Sequence, residues 1–212
     1  MNERGEVLRA ARFLYDRRMV NAFEGNVSLR VGGRLLITPS QVCKGELTED
    51  DLVEVDIASG GTVSAKPGRV ASSELKVHLT VYRARPDLMS VCHAHPPAAT
   101  SFALRGEAIE TRGYPELIVL FGRVPVARYG RPSTWSVCDG IPDILRDYDC
   151  FLLENHGLVA CGPTAMDAAW RLESIESIAE VLFRARLMGG EKPLPPGEAE
   201  AINQTRLDKQ RR

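Results

Sequence analysis

The feature that most constrains the fold of this chain is a pair of short strand-like segments separated by two glycines. Residues 25–30 and 34–38 are rich in residues that favour β structure, and Gly32-Gly33 lies between them. A glycine pair at this position is typical of a tight β-hairpin turn. Residues 52–56 alternate between apolar and polar side chains, which predicts another strand. The early half of the chain is therefore predicted to be rich in strands.

Helices and further strands follow without strict alternation. Helical spacing of apolar residues predicts a first helix that ends near Arg18 and a second that starts at Ser72-Ser73 with a serine cap. Residues 89–95 are predicted to form a strand, and Pro96-Pro97 to start the next helix. The remaining predicted elements are strands at residues 117–120, 124–127, 150–154 and 157–161 and a long helix over residues 165–187. This order disfavours a doubly wound parallel sheet and predicts an α/β layered domain with a mixed or antiparallel central sheet.

Size and composition are those of an ordinary globular domain. The chain has 212 residues, which is enough to bury one core and short for two domains. We therefore predict a single domain over residues 1–212, in which residues 189–212 form a turn-rich linker and a short C-terminal helix. Hydrophobic residues make up 44% of the chain and charged residues 26%, which favours a soluble protein over a disordered or membrane-embedded one.

Charge and cysteine content narrow the range of partners and compartments. The formal net charge is -1, so no overall field attracts the protein to nucleic acid or to an anionic membrane. No apolar run approaches the length of a membrane span, and the first residues lack the apolar stretch of a secretory signal. The five cysteines are odd in number and lack metal-type spacing. That pattern suits a reducing compartment, so we expect a cytoplasmic protein.

Three of the four histidines carry the clearest chemical signal. His93 and His95 stand two residues apart at the end of a predicted strand, so both imidazoles lie on one face. His156 occupies a turn that follows another predicted strand. Three imidazoles with an open position are typical of a catalytic zinc site, whereas structural zinc usually has four ligands with cysteine prominent. Each histidine alone can equally be a buried core residue, so the flanking sequence must decide between a core histidine and a metal ligand.

Five short motifs occur in order along the chain. They are Gly25-Asn26-Val27-Ser28, Thr38-Pro39-Ser40, Ser72-Ser73-Glu74, His93-Ala94-His95-Pro96 and Asn155-His156-Gly157. Together they resemble the class II aldolase/adducin family, and most closely its fuculose-1-phosphate aldolase branch. The resemblance covers roughly residues 5–185. It implies a three-layer α/β/α domain with a central, mainly antiparallel sheet, assembled as a homotetramer with active sites at subunit interfaces.

The same resemblance implies roles for individual residues. His93, His95 and His156 fall on the family's zinc ligands, and Glu74 falls on its catalytic acid/base, which also touches the metal in some states. The positions that match the pocket for the substrate phosphate are Gly25, Asn26, Ser40, Ser72 and Ser73, with Gln41 beside them. Gln41 stands where the fuculose-phosphate enzymes are expected to carry glycine.

General chemistry agrees with these roles. Backbone N–H groups, small hydroxyls and a helix N-terminus bind a phosphate dianion without a lysine. Zinc acts as a Lewis acid on the carbonyl, so no Schiff-base lysine is needed, and three imidazoles also accept Mn²⁺ or Co²⁺.

Simpler interpretations of these residues remain open. Ser72 and Ser73 can be a plain helix cap, Gly25-Asn26 a plain turn and Glu74 a partner of the helix dipole. His78 lies four residues after Glu74 and so on the same helix face. We interpret it as structural, because three imidazoles already complete an open zinc site.

The resemblance implies a zinc-dependent lyase that cleaves a ketose 1-phosphate to dihydroxyacetone phosphate and an aldehyde. Its substrate would resemble L-fuculose 1-phosphate or 5-deoxyribulose 1-phosphate. Two alternatives on the same scaffold are ribulose-5-phosphate 4-epimerase and methylthioribulose-1-phosphate dehydratase. Epimerases resemble Ser-Ser-Asp where this chain has Ser73-Glu74, which favours the aldolase. A non-catalytic, adducin-like module is disfavoured, because it has no need of the three histidines and the glutamate.

Overall fold

The computed structural model describes residues 2–210 and has an open, eight-stranded sheet at its centre. The strands are β1 (Asn26–Val31), β2 (Arg34–Ile37), β3 (Val53–Asp56), β4 (Thr62–Ser64), β5 (Ser90–Ala94), β6 (Val126–Ala127), β7 (Cys150–Leu153) and β8 (Gly157–Gly162). Their order across the sheet is β4-β3-β2-β1-β5-β8-β7-β6. Neighbouring strands are antiparallel except β6 and β7, which are parallel. The expected central, mainly antiparallel sheet is therefore confirmed.

Helices cover both faces of this sheet. The α-helices are α1 (Glu3–Asp16), α2 (Leu75–Ala84), α3 (Pro97–Leu104), α4 (Pro115–Leu120), α5 (Ile141–Ile144), α6 (Ala165–Leu187) and α7 (Glu198–Gln210), with short 3₁₀ helices at Glu49–Asp51 and Trp135–Cys138. One buried apolar cluster, which includes Phe102 and Leu172, packs α1, α3 and α6 on one face. A second cluster, which includes Tyr82 and Phe151, packs α2 and α5 on the other. Within residues 2–210, no helix combines the length and the apolar character needed to cross a bilayer.

Most elements expected from the sequence are confirmed, and two expectations are wrong. The first hairpin and the long helix α6 lie within about two residues of their predicted bounds. The strand predicted at residues 117–120 is wrong, because these residues belong to α4. Four consecutive apolar residues fit a strand or a helix, and Pro115 in the first turn favours the helix. The serine cap is also wrong, because α2 begins at Leu75 with Glu74 at its N-cap position.

The order of the central strands brings distant segments of the chain to one edge of the sheet. β1 and β8 both run antiparallel to β5, so each begins beside the end of β5. The register places Asn26 opposite His93 and Leu158 opposite Ala94. The glycine-asparagine motif, the His-X-His motif and the turn that holds His156 are therefore neighbours in space.

Helix α6 supports the strand end that carries the His-X-His motif. The side chain of Glu176 reaches the first turn of α3, where its two oxygens accept hydrogen bonds from Ala98 N at 2.8 Å and Ala99 N at 2.7 Å. The first N–H groups of a helix have no partner within the helix, so this carboxylate acts as their cap. Because α3 starts two residues after His95, the contact also holds the end of β5.

We expect Glu176→Ala to lower the free energy of unfolding by about 1–3 kcal/mol, because it leaves two backbone N–H groups without an acceptor. Urea unfolding followed by circular dichroism measures the change. Glu180→Ala is the matched control, since Glu180 lies one turn later on α6 and its ion pair with Arg184 is exposed. The control should change stability by less than about 0.5 kcal/mol. Equal effects of the two substitutions would contradict the anchoring role.

Candidate metal centre and acid/base site

The three histidines predicted as metal ligands meet at this edge of the sheet. His93 is the last but one residue of β5, His95 follows the end of that strand, and His156 lies in the turn between β7 and β8. One nitrogen of each ring lies within 4.8 Å of those of the other two rings. His93 is buried, whereas His95 and His156 are partly exposed. The cluster could therefore hold a metal ion that a small ligand can still reach.

The rings are arranged around a common centre. Their centroids lie 4.7 to 5.0 Å apart, and the Nε2 atoms of His93 and His95 are 3.0 Å apart. Two nitrogen ligands of a tetrahedral zinc ion lie about 3.3 Å apart, given Zn–N bonds of about 2.0–2.1 Å. The separation of the two Nε2 atoms is thus close to that of two ligands of one cation.

Burial favours the neutral form of His93 and His156, which is the form that binds a metal. It lowers the pKa of His93 well below its usual range, with a further contribution from the neighbouring rings, and lowers the pKa of His156 to about 4. His93 Nδ1 donates to Leu158 O at 3.0 Å, which leaves the Nε2 lone pair facing the cluster. His156 Nδ1 is buried and has no hydrogen-bond partner among the described residues. Neutral rings with an unused nitrogen fit a divalent cation.

Two motif glycines allow this close approach. A Cβ atom on Gly157 would lie 2.6 Å from Ala94 O and 2.6 Å from His95 Cδ2. Gly25 has a φ of 68°, and a Cβ atom there would lie 2.9 Å from His93 O. The first position thus needs glycine for space, and the second needs it for space and for its left-handed backbone. Gly25 therefore has a structural role that is independent of any ligand.

Glu74 places a buried carboxylate immediately before α2. The residue is 6% exposed, and its Oε1 accepts hydrogen bonds from Ser133 N at 3.0 Å and Ser133 Oγ at 3.1 Å. Its Oε2 is buried and has no partner among the described residues. One turn further along α2, His78 is hydrogen-bonded to Asn26, which pairs with His93 across the strands. The start of α2 thus lies at the same edge of the sheet as the histidine cluster.

The segments predicted to bind phosphate lie side by side at this edge. Thr38 N donates to Val27 O at 3.0 Å, which joins the first segment to the second. Pro39 and Ala71 form an isolated antiparallel bridge, which joins the second segment to the third. The three segments are Gly25-Asn26, Ser40-Gln41 and Ser72-Ser73. Residues that are far apart in the sequence are therefore neighbours here.

Two details of these segments explain departures from the expected pattern. Gln41 has a φ of 55°, in the left-handed region that favours glycine, so the turn after Ser40 has a glycine-like backbone although a glutamine occupies it. Ser72 does not cap α2, but its Oγ accepts a hydrogen bond from Glu74 N at 3.3 Å. This serine therefore supports the turn that presents the glutamate.

Two residues at the site carry no clear sequence signal. Ser133 lies in an irregular loop and contacts Glu74 across 59 positions of the chain, with a φ of 64°. No motif marks it. Glu24 Oε1 lies 3.5 Å from His95 Nδ1, where a carboxylate can orient a ligating imidazole. The only signal for Glu24 is its place next to the Gly25 motif.

Comparison with known proteins gives consistent similarities over most of the chain. A family model described as Class II Aldolase and Adducin N-terminal domain matches residues 5–183. L-fuculose phosphate aldolase of Methanocaldococcus jannaschii is 30% identical over 179 residues, which cover 84% of this chain and 94% of that protein. 3-oxo-tetronate 4-phosphate decarboxylase of Escherichia coli K12 is 31% identical over 185 residues, which cover 85% of each. A solved structure of an L-fuculose 1-phosphate aldolase has a TM-score of 0.86 at 27% identity, over 96% of this chain and 95% of that one.

We expect Gly157→Ala to weaken the binding of a divalent cation, because the added Cβ would lie 2.6 Å from an atom of the His95 ring. Overpacking of this kind costs about 1–3 kcal/mol, or about tenfold to hundredfold in affinity. Competition with a chromophoric zinc chelator at constant pH measures the affinity. Gly33→Ala is the matched control, because nothing lies within 4 Å of its added Cβ. Wild-type metal affinity of the Gly157→Ala variant would contradict the close packing around His95.

Proposed function

The chain belongs to the class II aldolase and adducin family, and we propose that it is a zinc-dependent aldolase that reversibly cleaves a ketose 1-phosphate. The substrate would resemble L-fuculose 1-phosphate or 5-deoxyribulose 1-phosphate, and the products would be dihydroxyacetone phosphate and an aldehyde. One observation carries this proposal: the nitrogens of three imidazoles lie within 4.8 Å of one another, at the edge of the sheet where the buried carboxylate of Glu74 precedes α2. The similarity to an L-fuculose phosphate aldolase over 84% of the chain supports it.

His93, His95 and His156 would hold the metal ion in this proposal. The close approach of their ring nitrogens and the unpartnered Nδ1 of His156 support that assignment. A divalent cation held there would act as a Lewis acid that polarises the carbonyl of the substrate. Three imidazoles with an open position favour zinc, although Mn²⁺ and Co²⁺ bind similar ligands.

Glu74 would move the proton. Two hydrogen bonds from Ser133 hold its Oε1, whereas Oε2 has no donor among the described residues and is the atom left to take or release a proton. In cleavage, the carbon that loses the aldehyde must be protonated, and in synthesis the same carbon must lose a proton. One carboxylate can perform both steps, because its protonation state reverses with the direction of the reaction.

The phosphate of the substrate would lie among the three neighbouring segments described above. Backbone N–H groups, the hydroxyls of Ser40, Ser72 and Ser73 and the amide of Asn26 would supply its donors, with Gln41 at the rim. No lysine is required, because several short donors can converge on one dianion. The pocket would then bind the phosphate of the triose phosphate, and Glu74 would lie near the carbon that exchanges its proton.

A decarboxylase is the second candidate function, since a 3-oxo-tetronate 4-phosphate decarboxylase is 31% identical over 85% of this chain. Loss of carbon dioxide from a 3-oxo acid leaves a similar carbanion beside a carbonyl, so the same histidines and glutamate would serve. The two reactions differ in the released fragment. Screening ketose phosphates for aldehyde release and 3-oxo acid phosphates for carbon dioxide release separates them.

Other reactions on this scaffold fit the site less well. The longer carboxylate of Glu74 argues against a ribulose-5-phosphate 4-epimerase, and product analysis separates cleavage from a dehydratase. A non-catalytic module would have no use for the four site residues.

We also propose a cytoplasmic homotetramer with active sites at subunit interfaces. Exposed apolar side chains on α6, such as Trp170 and Leu187, offer contact surface for another subunit, and the five cysteines are unpaired.

Protein purified without a chelator should carry about one zinc ion per chain, as expected for three imidazole ligands. Elemental analysis by mass spectrometry measures the metal content. His93→Ala should lose both the metal and the activity, whereas His78→Gln, which removes a histidine outside the cluster, should retain the metal. No bound divalent ion in the wild type, together with no activation by added zinc, would refute the aldolase proposal.

Glu74→Gln should keep zinc bound and reduce turnover by about two to four orders of magnitude, the usual contribution of general acid/base catalysis. Glutamine preserves the size of the side chain but cannot exchange the proton. The assay is exchange of the pro-chiral hydrogen of dihydroxyacetone phosphate with deuterated water, which requires no knowledge of the aldehyde. Glu54→Gln, which removes a carboxylate in β3, is the control and should exchange at the wild-type rate. Wild-type exchange by a zinc-loaded Glu74→Gln variant would show that another group is the base.

A further inference from the structure

We propose that Tyr82, Ser28 and His78 form a polarised hydrogen-bond relay that turns the amide NH2 group of Asn26 toward the substrate phosphate. The three relay residues would be positioning residues, because they act on the ligand only through Asn26. The purpose of the relay rests on the proposed function, whereas its geometry does not.

The relay is a continuous line of polar groups in the core between β1 and α2. Ser28 Oγ lies 2.7 Å from Tyr82 Oη and 2.6 Å from His78 Nδ1. His78 Nε2 is hydrogen-bonded to Asn26 Oδ1. Ser28 and His78 are 0% exposed, Tyr82 is 1% exposed and Asn26 is 4% exposed. Water does not compete at this depth, so each group must satisfy its neighbour within the line.

The tyrosine end sets the direction in which the protons are donated. The Tyr82 hydroxyl lies 2.7 Å from Ser28 Oγ and 3.5 Å from Met89 O, its other acceptor. The phenol proton goes to the nearer acceptor, because a contact of 3.5 Å is at the limit of a hydrogen bond. Burial raises the pKa of Tyr82, so the hydroxyl keeps this proton. Ser28 then donates its own proton to His78 Nδ1.

The tautomer of His78 fixes the orientation of the Asn26 amide. Burial lowers the pKa of His78 to about 3, so the ring is neutral. A neutral imidazole whose Nδ1 accepts a hydrogen bond carries its proton on Nε2, and this N–H donates to Asn26 Oδ1. The Asn26 NH2 group therefore points away from the relay, and none of the described residues accepts a hydrogen bond from it.

The opposite direction would defeat the binding of an anion. If His78 donated from Nδ1 to Ser28, its Nε2 would accept from the Asn26 amide, and Asn26 would present its carbonyl oxygen at the sheet edge. An oxygen lone pair repels a phosphate dianion, whereas an NH2 group offers it two donors. Asn26 lies opposite His93 in the register, so this amide borders the histidine cluster. The direction of the relay thus decides which face of the amide the substrate meets.

Packing alone does not explain these polar groups. The side chains of Val77, Leu79 and Val81 beside them on α2 are apolar and buried, as expected for a helix against a sheet. A line of polar groups in such a layer is costly to bury, and apolar residues of similar size would serve the core at least as well. A role in orienting Asn26 accounts for that cost.

Binding of inorganic phosphate to the zinc-loaded protein, measured by isothermal titration calorimetry, tests the relay. Tyr82→Phe removes only the hydroxyl that sets the direction, three hydrogen bonds away from Asn26. We expect its phosphate affinity to fall, and that of His78→Phe to fall by about tenfold, the value of one hydrogen bond to a charged group. Zinc content should be unchanged in both. Should His78→Phe fail to fold, Tyr82→Phe alone decides the outcome.

Tyr148→Phe is the matched control, because Tyr148 contacts Arg123 through its ring, which phenylalanine retains. This variant should bind phosphate as the wild type does. Long-range ¹⁵N–¹H NMR gives an independent measurement, since the chain has only four histidines and the signal of His78 is the one absent from His78→Phe. We expect its proton on Nε2. A proton on Nδ1 would overturn the direction of the relay.

Asn26→Asp separates failure of the relay from failure of the proposed phosphate pocket. It replaces the NH2 group by a carboxylate oxygen of similar size and should abolish phosphate binding. Wild-type phosphate affinity in Asn26→Asp would show that Asn26 is not in the pocket. That result would also refute the proposed role of the relay. Loss of binding in Asn26→Asp, combined with wild-type affinity in Tyr82→Phe and His78→Phe, would overturn the relay and leave the pocket standing.

Discussion

The antiparallel pairing of β1, β5 and β8 is the constraint on which the rest of the site depends. Because β5 runs opposite to both neighbours, its final residues lie beside the first residues of β1 and β8. Three motifs from separate parts of the chain are thereby held together by backbone hydrogen bonds of the sheet. Side chains carried on paired strands are positioned more rigidly than side chains on loops. His93 is therefore held by the sheet itself, and His95 and His156 directly adjoin its paired strands.

Burial of polar groups at this edge is a cost that the surrounding structure only partly offsets. Leu158 O satisfies His93, and Ser133 satisfies one oxygen of Glu74. His156 Nδ1 and Glu74 Oε2 have no partner among the described residues. Unsatisfied buried groups are few in folded proteins, and those that occur cluster where a ligand or a reaction completes them. These two atoms belong to the residues for which we propose proton transfer and metal binding, and a third unpartnered atom, Thr100 Oγ1, lies in α3.

Local sequence patterns predicted the parts of the fold that depend on local rules. A glycine pair marked the first hairpin, and period-two spacing placed His93 and His95 on one face. Residues 117–120 were assigned to the wrong element, because four apolar residues fit a strand and a helix equally well until tertiary packing decides. Ser133 was missed because its hydrogen bonds to Glu74 span 59 positions and its loop has no motif.

The sequence by itself determined the strand-rich first half and the histidines and glutamate that carry the chemical signal, and its resemblance to the family implied the mainly antiparallel sheet. These follow from turn residues, side-chain periodicity and the order of the motifs, all of which are local properties of the chain. Only the tertiary structure decided which atoms of those residues have a hydrogen-bond partner among the described residues and which do not. The left-handed backbone of Gln41, the hydrogen bonds from Ser133 to Glu74 and those that join His78 to Ser28 and Asn26 arise from packing between distant segments. Burial and hydrogen-bond direction are set by neighbours in space, and a linear pattern does not specify those neighbours.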